Sequence, residues 1–206
     1  HIMSMTEIAE FYVDVLESIG VEKADVLGFS FGGTIAQVLA HEYPDHVNAL
    51  ILCATAPGAG GFPPHPITQV TAANPLRYMV PLVREMAAPV IYRGRCGRNP
   101  RLFEGELAGW DAQRTTMLGV GAQVAAFSSW SSLPWLATVR HPTLVLGGEE
   151  DPMAPVANSR LIAAILPNSE YHEIPEGGHL FPFDRPEVAA PLINDFLYRV
   201  NAPVPA

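Results

Sequence analysis

Gly28-Phe29-Ser30-Phe31-Gly32 stands between a short apolar run, Ala24 to Phe29, and a helix-like run, Phe31 to Tyr43. The glycine-serine-glycine spacing suits a sharp strand-to-helix turn that lifts a serine hydroxyl out of the backbone as a nucleophile. Gly28 and Gly32 read as positions where the turn brings backbone segments too close for a side chain, and Gly33 as the residue that lets the helix pack tightly on a sheet. The alternative role for Ser30 is a helix cap, which serine often takes.

Upstream, Ser4 and Glu7 form a capping box ahead of Ile8, Phe11, Tyr12, Val15, Leu16 and Ile19, which repeat at helical spacing and predict a helix from about Thr6 to Ile19. Gly20 ends it. Downstream, Pro44 stops the helix that follows Ser30, and Ala49 to Cys53 reads as a second buried strand. Beyond Pro57 the texture changes to Pro, Gly and Arg punctuation with scattered aromatics, so residues 58–140 are expected to be an inserted helical cap. Regular texture returns with a strand at Thr143 to Leu146, a helix at Ala157 to Leu166, a strand at Glu170 to Ile174 and a closing helix at Glu187 to Val200.

Strands that alternate with helices imply an α/β fold, a mostly parallel sheet covered on both faces and joined by right-handed crossovers, with 1–206 as one domain. Working residues in such sheets gather at the carboxyl ends of the strands. Three polar features stand there: Ser30, the run Glu149-Glu150-Asp151, and Gly177-Gly178-His179. A serine hydroxyl is a weak nucleophile; it needs an imidazole to take its proton and a carboxylate to hold that imidazole in the right tautomer. Ser30, His179 and Asp151 can fill these roles, with the Phe31 N–H as an oxyanion donor. Asp151 is favoured over Glu149 and Glu150 because Gly148-x-x-Asp151-x-x-x-Pro155 anchors a short carboxylate in a tight loop. The spacing of His41, His46, His65, His141 and His172 supports no metal site, and no cofactor is expected.

Composition narrows the rest. A chain of 206 residues, 49% apolar and 16% charged, can bury one core. The net charge of −9 argues against nucleic acid as a partner. Arg93, Arg95, Arg98 and Arg101 form one basic cluster, read as a solvated loop or as a means to steer an anion. Cys53 and Cys96 form no CxxC pair, and no stretch reaches the roughly 18 apolar residues of a membrane span. A cytoplasmic protein with free thiols is expected. His1-Ile2-Met3 reads as an expression remnant, so His1 carries no functional expectation.

The GFSFGG turn, the LVLGGEEDPMAP segment and the GGHLF segment together resemble the α/β-hydrolase family. Within it the chain looks most like intracellular medium-chain polyhydroxyalkanoate depolymerases, through Ala54-Thr55-Ala56, Asn74-Pro75-Leu76-Arg77-Tyr78, and Ile91-Tyr92-Arg93-Gly94 leading to Arg98-Asn99-Pro100. The resemblance implies an ester hydrolase that works through an acyl-enzyme on 3-hydroxyalkanoate or other medium-chain acyl esters. Phe29, Phe127, Trp130, Leu133, Trp135 and Leu180 are then candidates to line the acyl pocket, with ordinary core packing as the other reading. Carbon-carbon or lactone cleavage on the same three residues is a narrower possibility.

Against the family pattern, the first four strands and the loop that usually gives the second oxyanion amide are not in these residues. Loss of one donor from such a hole costs about 10²–10³ in turnover. The nucleophile strand is then expected to lie at a bare sheet edge, which invites a homodimer. The alternative function is a weakly active or non-catalytic hydrolase-like fragment that associates through that edge.

Overall fold

The computed structural model describes residues 3–74, 76–103 and 117–202. Strands β1 (Ala24–Phe29), β2 (Val47–Cys53), β3 (Thr143–Gly148) and β4 (Ser169–Ile174) form a parallel sheet in the order β1-β2-β3-β4. Helix α1 (Met5–Ser18) precedes the sheet, and α2 (Phe31–Glu42) links β1 to β2. The β2–β3 connection carries α3 (Pro66–Ala73), α4 (Leu76–Met79), α5 (Pro81–Ile91), α6 (Gly94–Arg98) and α7 (Met117–Ser128). After β3 come α8 (Val156–Ile165), then β4, the short α9 (Phe181–Asp184) and α10 (Pro186–Val200).

From Ala49 to Cys53 the side chains of β2 alternate between two apolar layers, as a pleated strand buried on both faces requires. Val47, Leu50 and Leu52 join α1, α2 and Ile162 of α8 on one face. Ala49, Ile51 and Cys53 join Phe181 and the Ala189 and Phe196 side chains of α10 on the other. The expected α/β architecture is therefore present, and β1 lies at an edge with Leu27 half exposed. Among the described residues no helix is long and apolar enough to cross a membrane.

Helix α1 begins with the expected capping box: the Ser4 Oγ accepts from the Glu7 N–H, and Glu7 accepts from the Ser4 N–H. Its buried face is not the run of bulky apolar residues that repeats at helical spacing. Met5, Ala9 and Val13 face inward at i, i+4, i+8, whereas Phe11, Tyr12, Val15 and Ile19 are exposed. These three face α2, and the period of 3.6 carries Phe11, Tyr12 and Val15 to the outer side.

The turn at Ser30 needs glycine at two places. A Cβ on Gly28 would lie 2.5 Å from the Gly33 Cα, and one on Gly33 would lie 2.5 Å from the Thr55 side chain. Gly32 meets nothing within 4 Å, so the expectation that it also answers a close approach is corrected. Gly28→Ala is expected to cost about 3 kcal/mol, because backbone on the far side cannot give way, while Gly32→Ala should be neutral or slightly stabilising. Urea unfolding of the two variants checks this, and equal midpoints would contradict it.

The two ends of the β2–β3 connection are clamped side by side. Ser132 N–H donates to the Pro57 carbonyl at 2.9 Å and Ala59 N–H to the Trp130 carbonyl at 2.8 Å. Buried Gln37 of α2 ties both ends to the core, accepting from Ser132 Oγ at 2.7 Å and donating to the Ala56 carbonyl. The reading of 58–140 as a cap includes residues 75 and 104–116, which lie outside the described residues.

Candidate active site

Ser30, Asp151 and His179 follow the carboxyl ends of β1, β3 and β4, and the parallel sheet brings all three ends to one side. Ser30 sits at φ 52°, ψ −119°, a strained conformation for a residue with a side chain. The end of β2 holds it there: Ser30 N–H donates to the Cys53 carbonyl at 2.9 Å, and Thr55 Oγ1 donates to the Ser30 carbonyl at 2.7 Å. Its own side chain makes no capping bond to α2, which separates it from the helix-cap role. As the first residue of α2, Phe31 has no intrahelical acceptor for its N–H.

The Ser30 Oγ lies 3.0 Å from His179 Nε2. On the other side of the ring, Nδ1 lies 2.9 Å from Asp151 Oδ2 and 3.0 Å from Oδ1. Asp151 Oδ1 also accepts from the Met153 and Ala154 N–H groups, both at 2.8 Å. An ionised carboxylate can only accept, so Nδ1 must carry the ring proton and Nε2 presents a lone pair to the serine. Both Asp151 and His179 are buried. A serine flanked in this way can lose its proton as it attacks a carbonyl.

The neighbouring acids are engaged elsewhere. Glu149 accepts from the Glu176 N–H, and Glu150 pairs with Arg98 at 3.0 Å. The loop is tight because a Cβ on Gly148 would lie 2.6 Å from the Gly177 carbonyl oxygen. Cys53, one strand away from Ser30, is no rival nucleophile, since burial pushes its thiol up to about 12. The arginine cluster is largely an ion-pair set: Arg95 meets Glu187 at 2.7 Å, Arg98 meets Glu150, and Arg101 meets Glu85 at 3.6 Å.

The acyl-pocket candidates divide. Phe29 lies 5.3 Å from the His179 ring, and Leu180 packs with Phe29, Tyr92 and Cys96. Trp135 instead stacks on His41 at 4.3 Å, and Trp130 meets Trp135 edge-on at 6.0 Å. His41 is on the last turn of α2, about 16 Å along the helix from Ser30 at 1.5 Å per residue. Trp130 and Trp135 pack beside α2, where they cover the core. Leu133 packs on Gly60, and Phe127 is half buried at the end of α7. A groove of about 580 Å³, lined by Lys23, His41, Asp45, Asn48, Arg140 and His141 among others, lies at the amino ends of the strands, away from the three residues.

Two contributors were not foreseen. The Tyr92 carbonyl accepts the His179 N–H at 2.7 Å, and buried Asp184 accepts from the Cys96 N–H at 2.8 Å. A backbone carbonyl leaves no mark in a sequence. The lone acid in Leu180-Phe181-Pro182-Phe183-Asp184 was the one available signal for the second.

The sheet topology, the strained serine and the order serine, acid, histidine define a class. The chain belongs to the alpha/beta hydrolase fold family, which it matches over residues 2–186. It is 38% identical over 193 residues to a poly(3-hydroxyalkanoate) depolymerase from Ectopseudomonas oleovorans, a match covering 92% of this chain and 66% of that protein. It is 29% identical over 205 residues to a 2-hydroxymuconate semialdehyde hydrolase from Pseudomonas sp. (strain CF600), covering 92% and 67%. A thermophilic esterase from Thermogutta terrifontis has a similar structure, with a TM-score of 0.76 at 26% identity over 98% of this chain and 75% of that one. The chain thus spans about two thirds of the length of these curated relatives. The resemblance to α/β hydrolases, and within them to polyhydroxyalkanoate depolymerases, holds.

Proposed function

We propose that this chain is a serine-dependent carboxylic ester hydrolase that acts on medium-chain 3-hydroxyalkanoate esters through an acyl-enzyme. The observation that carries the reading is the unbroken line from Ser30 Oγ through His179 to Asp151. Ser30 Oγ attacks the ester carbonyl carbon while His179 Nε2 takes its proton. The Phe31 N–H donates to the oxyanion that forms. The bond to the alcohol oxygen then breaks, His179 returns the proton to that oxygen, and the acyl group stays on Ser30. Water, giving a proton to His179, attacks the acyl carbonyl; the carboxylic acid leaves and Ser30 regains its hydrogen.

The substrate class is supported by the similarity to the depolymerase and by the partly exposed Phe29 ring 5.3 Å from His179. Phe127 and Leu133 are further candidates on the β2–β3 connection, which we read as the cap, 58–140. Cys53 and Cys96 form no disulfide, in keeping with a cytoplasmic setting. The test is a fluorophosphonate probe with peptide mapping, together with p-nitrophenyl esters from acetate to dodecanoate. Labelling at Ser30 and a maximum of kcat/KM at medium chain length are expected. Failure of the folded protein to label overturns the hydrolase reading; labelling without a chain-length preference overturns the substrate class alone.

A second reading rests on β1, which among the described residues pairs with β2 alone and carries the half-exposed Leu27, an edge that favours association of two copies. Light scattering across a concentration series decides it, and a monomer at every concentration rules it out.

A further inference from the structure

His179 is held by a part of the molecule distant in sequence. Its N–H donates to the Tyr92 carbonyl, just after α5. The following residues come so close that a Cβ on Gly94 would lie 2.6 Å from the Gly178 nitrogen, and a Cβ on Gly178 would strike the Tyr92 carbonyl oxygen. To make this approach the backbone adopts φ 47° at Arg93 and φ 57° at Gly94, two consecutive positive values of which the first is strained. Such a turn persists only where its surroundings over-determine it.

Asp184 supplies that constraint. Its Oδ2 accepts from the Cys96 N–H at 2.8 Å, two residues beyond Gly94, and its carbonyl accepts from Arg95 Nη1 at 3.3 Å. On its own side, Asp184 N–H donates to the Leu180 carbonyl at 2.9 Å, so the residue is tied to the turn that begins one position after His179. The carboxylate is buried, and Oδ1 meets no donor. Burial pushes the Asp184 carboxyl upward from the usual range, against the Cys96 and Arg95 backbone bonds and the charges of Arg95 and Arg185. A carboxylate in this position carries a desolvation cost, offset by the bond it accepts from the buried Cys96 N–H. What it provides in return is the bond to the strained turn.

We propose that Asp184 is a positioning residue for His179: by clamping Tyr92 to Cys96 against α9, it sets the backbone on which the imidazole reaches Ser30. It touches neither the substrate nor the reacting atoms. The proposal rests on the ester-hydrolase reading for its kinetic arm and stands apart from it for its spectroscopic arm.

Three variants test it. Asp184→Asn keeps an oxygen that can accept from Cys96, Asp184→Ala removes it, and Asp184→Leu removes it while filling the space. Ala and Leu are expected to lower kcat on a p-nitrophenyl ester, and the rate of fluorophosphonate labelling, by about 10–100-fold, with KM and the Asn variant within about threefold of the parent. NMR titration of the His179 imidazole should show a displaced midpoint in Ala and Leu but not in Asn. Should Asp184→Ala not fold, Asp184→Leu carries the comparison. Two results overturn the proposal: a lower melting temperature with kcat, its pH profile and the His179 titration unchanged, or an Asn variant as impaired as Ala. A parent that neither turns over nor labels defeats the hydrolase reading instead, and the His179 titration still decides the role of Asp184.

Discussion

Ser30→Ala is expected to lower kcat on p-nitrophenyl esters by about 10⁵–10⁶-fold, because the nucleophile of such a unit carries nearly all of the chemical acceleration. The variant should remain folded. Alanine at φ 52° is no more strained than serine, and the contacts that build the turn come from Gly28, Gly33 and the Ser30 backbone rather than from Oγ. The Oγ bond to His179 Nε2 is the one side-chain interaction lost, and the bond between His179 Nδ1 and Asp151 remains. Kinetics on purified variant, with thermal melting as the control for folding, measure the effect. A rate within tenfold of the parent would mean that another group attacks the ester.

Asp151→Asn is expected to lower kcat by about 10⁴-fold, through the tautomer of His179 rather than through its position. Two backbone N–H groups, from Met153 and Ala154, converge on Oδ1. They would hold the amide oxygen of asparagine at that site and so turn its NH₂ toward His179 Nδ1. A donor facing Nδ1 forces the ring proton onto Nε2, where it faces Ser30 and blocks proton transfer. Asp151→Ala would leave those two N–H groups unpaired in a buried loop and should destabilise by about 1–3 kcal/mol. Asparagine therefore separates chemistry from folding, and ester kinetics beside urea unfolding check both. A loss below tenfold for Asp151→Asn would remove Asp151 from the proposed mechanism.

The strand-helix-strand unit around Ser30 was legible because its signals are local: an apolar run, a glycine-bounded turn, then helical spacing stopped by Pro44. Ser30, Asp151 and His179 could be picked out for the same reason, since each follows a strand end and a parallel sheet sends those ends to one side. Spacing failed where packing chose between faces. Phe11, Tyr12 and Val15 form as regular a stripe as Met5, Ala9 and Val13, yet it is the second that packs toward α2 and is buried. Trp130 and Trp135 read as pocket residues by type, and their partner His41 on α2 could be known only from the fold.

By itself, then, the sequence determined the class of fold, the order of its strands along the chain, and which serine, histidine and acid are proposed as nucleophile, base and orienting group. The tertiary structure decided which acid turns toward the imidazole, which glycines answer a close approach, and that Tyr92 and Asp184 support the histidine loop. The physical reason is range. Hydrophobic period and turn chemistry act over a few residues, whereas a hydrogen bond between positions 96 and 184 exists only after the sheet has brought both to the same place.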